Sequence, residues 1–206
     1  MRLCIDLCSG LGGFSQAFVE SPDWEVVRID VERKFNPTIC ADVRDLSFID
    51  IVPNYSEFEQ ITILASPPCE RFSIASHTWP RRGIRKAFEV VGQCCEIIAD
   101  ARDLIDRKSL SYAIENPKGR LRWYLGKPSI TIRQSDYGAP YRKLTDVWSS
   151  FDLPMIKLQI PHTRYVCREA NPNAKLPLKA VSYSREERSK LPFGLSQAVL
   201  EAVSQN

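Results

Sequence analysis

Apolar residues in the first two-thirds of the chain fall into short runs, each closed by glycine, proline or a carboxylate. Residues 2–7 form the first run, and the turn Ser9-Gly10-Leu11-Gly12-Gly13 separates it from residues 14–20, which can open a helix. A second strand is predicted over residues 24–30, ending in Asp30, and a short element near 38–41 precedes Asp42. Residues 61–65 read as a buried strand stopped by Pro67-Pro68, and residues 70–86 read as a long loop. From Arg85 the pattern turns helical, with Ala87, Val91, Cys94, Ile98, Ala101 and Ile105 at three- and four-residue steps. Strands are then predicted over 111–115, 129–134 and 147–151, and a closing helix over 195–203. Residues 152–182 show no clear periodicity. Alternating strands and helices imply one α/β domain over residues 1–206 with a mostly parallel sheet and helices on both faces, carrying 152–182 as a small irregular insert.

Composition narrows the class. At 44% hydrophobic and 26% charged, the 206-residue chain excludes disorder, collagen-like repeats and coiled coil. Its longest uncharged stretch, residues 7–19, has 13 residues, and a membrane span needs about 20. Asp6 interrupts the first apolar run and no small-residue cleavage site follows, so no signal peptide is expected. The seven cysteines include no Cys-x-x-Cys, and the two histidines, His77 and His162, lie far from paired cysteines. Reduced thiols, a cytoplasmic location, no metal and no membrane association are therefore expected. The net charge of +3 hides an asymmetry: residues 1–60 carry 11 acids against 5 bases, and residues 61–206 carry 14 acids against 23 bases. The basic part suits a polyanion, although a solvated face would look the same.

Three places can carry chemistry. Gly10, Gly12 and Gly13 allow close backbone approach to a ligand, and Asp30, 20 residues after Gly10, can accept from both hydroxyls of a ribose. The spacing is not Gly-x-Gly-x-x-Gly, and a glycine turn followed by a surface Asp would look alike. Ser66-Pro67-Pro68-Cys69 is sharper. It follows a buried strand, and two prolines give the next side chain a defined direction. A thiol so placed is a candidate nucleophile; the alternative is one more buried cysteine. Glu115, in Ala113-Ile114-Glu115-Asn116-Pro117, ends another strand and is either its acid partner or a salt-bridged carboxylate.

At this point the chain resembles a known family. Asp6-Leu7-Cys8-Ser9-Gly10-Leu11-Gly12-Gly13-Phe14-Ser15 resembles the first motif of the DNA cytosine-5 methyltransferases, and Ser66-Pro67-Pro68-Cys69-Glu70-Arg71-Phe72-Ser73 their Pro-Cys motif. Glu115-Asn116 resembles their Glu-Asn motif, and Gln134-Ser135-Asp136-Tyr137-Gly138-Ala139-Pro140 the segment that follows. The four motifs occur in family order. The resemblance implies a Rossmann-like class I methyltransferase fold and S-adenosylmethionine as cofactor. It implies cofactor contacts from Asp6, Ser9, Gly10, Gly12, Gly13, Phe14, Ser66, Pro67 and Ser196, with Asp30 on the ribose and Asp42 on the adenine amine. Cys69 would attack cytosine C6 and Glu115 would assist at N3. Pro68, Ser73, Asn116, Arg142 and Lys143 would face the substrate, with Arg81, Arg82, Arg85 and Lys86 on phosphates. An amino-group methyltransferase carries an aromatic residue where Cys69 stands, so the thiol argues against that relative.

The implied partner is DNA, with RNA as an alternative. Trp79 and Trp123 lie among the bases that follow the two catalytic motifs; Trp123 is expected to pack in the core. In the family the loop after the cysteine closes over a flipped base, which implies a mobile 70–86. Three departures stand out. Thr145 replaces an arginine that contacts the cytosine ring, and Arg133, Arg142 or Lys143 could stand in for it. Gly194-Leu195-Ser196 replaces Gly-Asn-Ser. Residues 152–182 occupy the place of a target-recognition domain. These departures admit two other readings: cytosine-5 modification of RNA or a nucleotide, and a cofactor-binding accessory protein that needs a partner subunit for target recognition.

Overall fold

A computed structural model describes residues 1–73, 83–141, 143–155 and 189–205. Its framework is a seven-stranded sheet of order β3-β2-β1-β4-β5-β7-β6. The strands are β1 (Arg2–Leu7), β2 (Trp24–Asp30), β3 (Ile39–Cys40), β4 (Gln60–Ala65), β5 (Leu110–Pro117), β6 (Ile130–Arg133) and β7 (Leu144–Ser149). Strands β3, β2, β1, β4 and β5 run parallel, and β7 is antiparallel to both β5 and β6. The helices are α1 (Gln16–Val19), α2 (Phe48–Ile51), α3 (Ile84–Leu104), α4 (Arg122–Leu125) and α5 (Phe193–Ser204).

The two central strands explain the layering. All of β4 and nearly all of β1 are buried on both faces, as expected of parallel strands covered by helices on either side. Leu3, Ile5 and Leu7 point into one core with Phe48, Val91, Cys94 and Ile98. Cys4, Leu64 and Ala113 point into the other, against Phe14, Phe18, Leu195 and Val199. This alternation has period two, so Asp6 falls on the second face. Helix α3 meets its core through Ala87, Val90, Val91, Cys94, Ile97, Ile98 and Ala101, and each fully buried Val or Ile stabilises by about 1.5–3 kcal/mol.

Several boundaries move. The strand predicted over 147–151 is β7, Leu144–Ser149, because its register is set by antiparallel pairing with β5, in which Pro117 opposes Thr145 and Ala113 opposes Ser149. The same pairing carries β5 through Pro117, which sits at the strand end, where a missing N–H costs little. Helix α2 was not foreseen; Ser47 and Asp50 form a reciprocal capping box at its start. Trp123 is a correction: it is 79% exposed. Helix α4 has one turn, and Leu121 and Leu125 face inward. Most of the 152–182 insert and of the 70–86 loop lies outside the described residues, with Trp79.

Candidate active site

Ligands of open α/β sheets bind beyond the carboxyl ends of the strands, and this edge collects the predicted residues. After β1 the chain turns sharply, with Cys8 at φ 56°, Gly10 at 50° and Gly12 at 71°. Cys8 is a non-glycine residue in left-handed conformation, a local strain often concentrated at binding sites. The Gly10 N–H donates to Asp30 Oδ2 at 2.7 Å, and the Glu32 N–H to Asp30 Oδ1 at 2.8 Å. The 20-residue spacing is thus a direct bond stitching the glycine turn to β2. A Cβ on Gly12 would collide with the Arg28 guanidinium, and one on Gly13 would lie 2.7 Å from the Leu191 carbonyl oxygen. Gly13 therefore serves close packing within the chain, whereas Gly12 is required by its positive φ, because the Arg28 guanidinium is the end of a flexible side chain.

Beneath the turn, Asp6 is fully buried and accepts from the Ser15 hydroxyl at 2.6 Å. Burial lifts its pKa from 3.8 to about 7, against the lowering effects of that bond and of the Arg28 charge. Phe14 lies in the second core. Ser196, expected at the cofactor, is fully buried; its hydroxyl donates to the Phe14 carbonyl at 2.6 Å and accepts from Ala17 N–H at 2.9 Å. It braces the end of the turn from α5. The Asp42 carboxylate is held by Arg44 through Nη2 at 2.6 Å and Nε at 3.0 Å, and that guanidinium keeps its pKa below the ordinary value.

Strands β4 and β5 are adjacent and parallel, with Ala65 opposite Ile114, so Ser66-Pro67-Pro68-Cys69 leaves β4 beside Glu115-Asn116, which are still within β5. Four contacts fasten them. Asn116 Nδ2 donates to the Pro67 carbonyl at 2.9 Å. Ser73 bridges Gly119, the Arg120 N–H donates to the Phe72 carbonyl at 2.8 Å, and the Arg120 guanidinium reaches the Ser73 carbonyl at 3.0 Å. A Cβ on Gly119 would collide with the Phe72 carbonyl oxygen, so only glycine permits this approach. Cys69 opens a short 3-10 turn and is half-buried, while Pro68 beside it is exposed.

Glu115 is buried, and burial raises its pKa above the ordinary carboxylate value; the Lys143 ammonium opposes this and the Asp146 carboxylate adds to it. Asp146 is itself fully buried and paired with Arg122 Nε at 2.6 Å. Thr145, in the family arginine's place, is buried and accepts from Gln134 Nε2 at 2.9 Å. Lys143 is therefore the candidate replacement whose charge acts on Glu115; Arg133 is exposed. Among the other thiols, burial pushes up the pKa of Cys4, the Cys94 contact and burial push up that of Cys8, and burial lifts that of Cys95 to about 11.

Buried polar atoms without a hydrogen-bond partner include Asp6 Oδ1, Ser9 Oγ, Ser66 Oγ, Glu115 Oε1 and Asn116 Oδ1. All five belong to the carboxyl ends of β1, β4 and β5 or the turns just beyond them. Orphaned buried polar atoms are costly, and these carboxyl, amide and hydroxyl oxygens would take the hydroxyl and amino groups of a nucleoside cofactor and a base as partners. Arg85 and Lys86 are exposed in the first turn of α3, and Arg85 pairs with Glu89 at 2.9 Å. Arg81, Arg82 and Arg142 lie outside the described residues. Sequence reasoning missed Ser15, Arg28, Gly119 and Asp146 as parts of the site; only Gly119, an isolated glycine just past a strand, carried a local signal.

The strand order, with one antiparallel strand set between β5 and β6 and helices on both faces, is a Rossmann-like methyltransferase fold. No family model matches the chain, and no curated protein matches it. Among solved structures it is similar to the crystal structure of the S. pombe Dnmt2 methyltransferase, at 14% identity and a TM-score of 0.45, over 71% of this chain and 50% of that one. The chain thus spans about half the length of that neighbour. Among the described residues no helix is long and apolar enough to cross a membrane, and no group of three or more His, Cys, Asp or Glu could hold a metal ion.

Proposed function

We propose that this protein methylates C5 of cytosine in DNA, using S-adenosylmethionine. One observation carries the reading: a thiol set by two prolines and a buried carboxyl group with a raised pKa lie at the ends of neighbouring strands and are tied together through Asn116 and Pro67. Cytosine C5 is a weak nucleophile. Attack of the Cys69 thiolate on C6 forms a C–S bond and moves electron density toward C5 and N3. Burial favours the protonated form of Glu115, which would donate to N3 and stabilise that charge. S-adenosylmethionine, when bound, would supply the methyl group that C5 takes, the sulfur–methyl bond breaking to leave S-adenosylhomocysteine. Loss of the C5 proton to a base then reforms the double bond, the C–S bond breaks, and the thiolate leaves. Asp30, Ser9 and the glycine turn would hold the nucleoside end of the cofactor, and Ser66 and Pro67 would line the passage between cofactor and base. Arg85 and Lys86 would contact phosphates, with Arg81 and Arg82 preceding them in the chain.

DNA containing 5-fluorocytosine tests this, because fluorine blocks the final elimination. With cofactor present, the wild-type chain is expected to form a denaturation-resistant adduct that Cys69→Ala abolishes while retaining affinity for S-adenosylhomocysteine. Parallel incubations with RNA and free nucleotides separate the acceptor classes. Methyl transfer by the wild type without any trapped adduct would overturn the covalent mechanism.

A further inference from the structure

The one-turn helix α4 presents aromatic surface that the reaction above does not use. Trp123 is 79% exposed and Tyr124 is 52% exposed, on a helix whose neighbours Leu121 and Leu125 point inward. Residues 117–127 contain four basic residues and no acidic one; the Arg122 guanidinium is paired with the buried Asp146 carboxylate, which leaves the charges of Lys118, Arg120 and Lys127 beside the ring. This pairing of aromatic faces with positive charge is the composition that binds single strands without reading their sequence.

The helix is mounted in fixed relation to the nucleophile. The Phe72 N–H donates to the Cys69 carbonyl at 3.0 Å, and the Phe72 ring packs on Phe88 at 5.3 Å between centroids. Phe88 packs in turn on Tyr124 at 5.0 Å. The backbone gives a second link: Trp123 N–H bonds the Arg120 carbonyl at 2.9 Å, and Arg120 N–H bonds the Phe72 carbonyl at 2.8 Å. An aromatic ladder and a hydrogen-bonded path thus run from the Cys69 turn to the exposed indole.

We infer that α4 is a stacking platform for an unpaired base that flanks the acceptor cytosine in single-stranded DNA. A base inside a duplex has both faces covered, so an indole at the surface can stack only on an unpaired or displaced one. A helix of four residues is also too short to read a major groove. The choice of DNA rests on the cytosine-methylation reading; the stacking itself rests on the exposed ring and the charges around it.

The test is anisotropy of a labelled cytosine-containing oligonucleotide, single-stranded, in duplex, or as RNA of the same sequence, with the full chain. Trp123→Ala is expected to weaken single-stranded DNA binding about tenfold or more. Trp123→Phe, which keeps a π face, should retain most of the affinity, and duplex binding should change less than twofold. Because Trp123 is exposed, circular dichroism of the variants should match the wild type. Single-strand affinity unchanged in Trp123→Ala overturns the inference, as does an equal loss on duplex, or a loss confined to RNA. Failure of Cys69 to trap fluorocytosine, with Trp123-dependent binding intact, would instead remove the methylation reading and leave the platform standing.

Discussion

Asn116 is fastened to the backbone that precedes the thiol: its Nδ2 donates to the Pro67 carbonyl at 2.9 Å, and both residues are buried. This bond is one of four contacts that join the end of β5 to the segment following β4, and it is the one nearest the thiol in sequence. Asn116→Ala should cost roughly 1–3 kcal/mol, because the Pro67 carbonyl then loses its buried partner. It should also slow adduct formation at Cys69 while leaving affinity for S-adenosylhomocysteine within about twofold. Denaturant melts and the fluorocytosine trap measure the two effects separately; a normal trapping rate would show that the bond serves stability alone.

Glu115 and Lys143 predict a pH dependence. In the proposed mechanism Glu115 assists as the protonated acid; burial raises its pKa while Lys143 lowers it. The single-turnover rate should therefore fall as pH rises through the Glu115 pKa. Lys143→Met removes the lowering influence, so that limb should move to higher pH. Glu115→Gln should remove the limb and reduce the rate by roughly two to four orders of magnitude. A limb that stays in place in Lys143→Met would mean that its charge does not reach Glu115.

Asp30 joins two tasks. It holds the Gly10 and Glu32 N–H groups, and under the proposed function it would also hold the cofactor ribose. Asp30→Ala should lower stability by about 1–3 kcal/mol and weaken S-adenosylhomocysteine binding. Calorimetry showing unaltered affinity in a folded variant would place the ribose elsewhere.

Asp6 makes stability depend on pH. Its pKa is raised from 3.8 to about 7 by burial, so the folded chain holds this proton more tightly than the unfolded chain. The Asp6 contribution to stability is then full below about pH 4 and lost as pH rises through about 7, on the order of 1.4 kcal/mol per unit of pKa difference. Asp6→Asn should flatten that part of the curve. Denaturant midpoints at pH 5 and pH 8 measure it; equal pH sensitivity in the variant and the wild type would assign the effect to other groups.

Much of this protein is written locally. The limits of β1 and β2 follow from apolar runs closed by a turn and a carboxylate, and the buried face of α3 follows from the three- and four-residue steps of Ala87, Val91, Cys94 and Ile98. The Ser47–Asp50 capping box that starts α2 is equally local. The spacing from Gly10 to Asp30 and the Pro67-Pro68-Cys69 string are local signals too, on residues that the sheet gathers at the carboxyl ends of β1, β2 and β4. Other features belong to tertiary structure alone. The extent of β7 is set by pairing with β5, more than 25 residues away. The outward face of Trp123 depends on which residues of a one-turn helix the core accepts. The raised pKa values of Asp6 and Glu115, and the role of Ser196 as a brace 182 residues from Phe14, arise because strand order encloses those groups. Periodicity and turn chemistry act over a few residues and can be read along the chain. Desolvation and hydrogen-bond closure depend on what folding brings alongside, which strand order and packing decide.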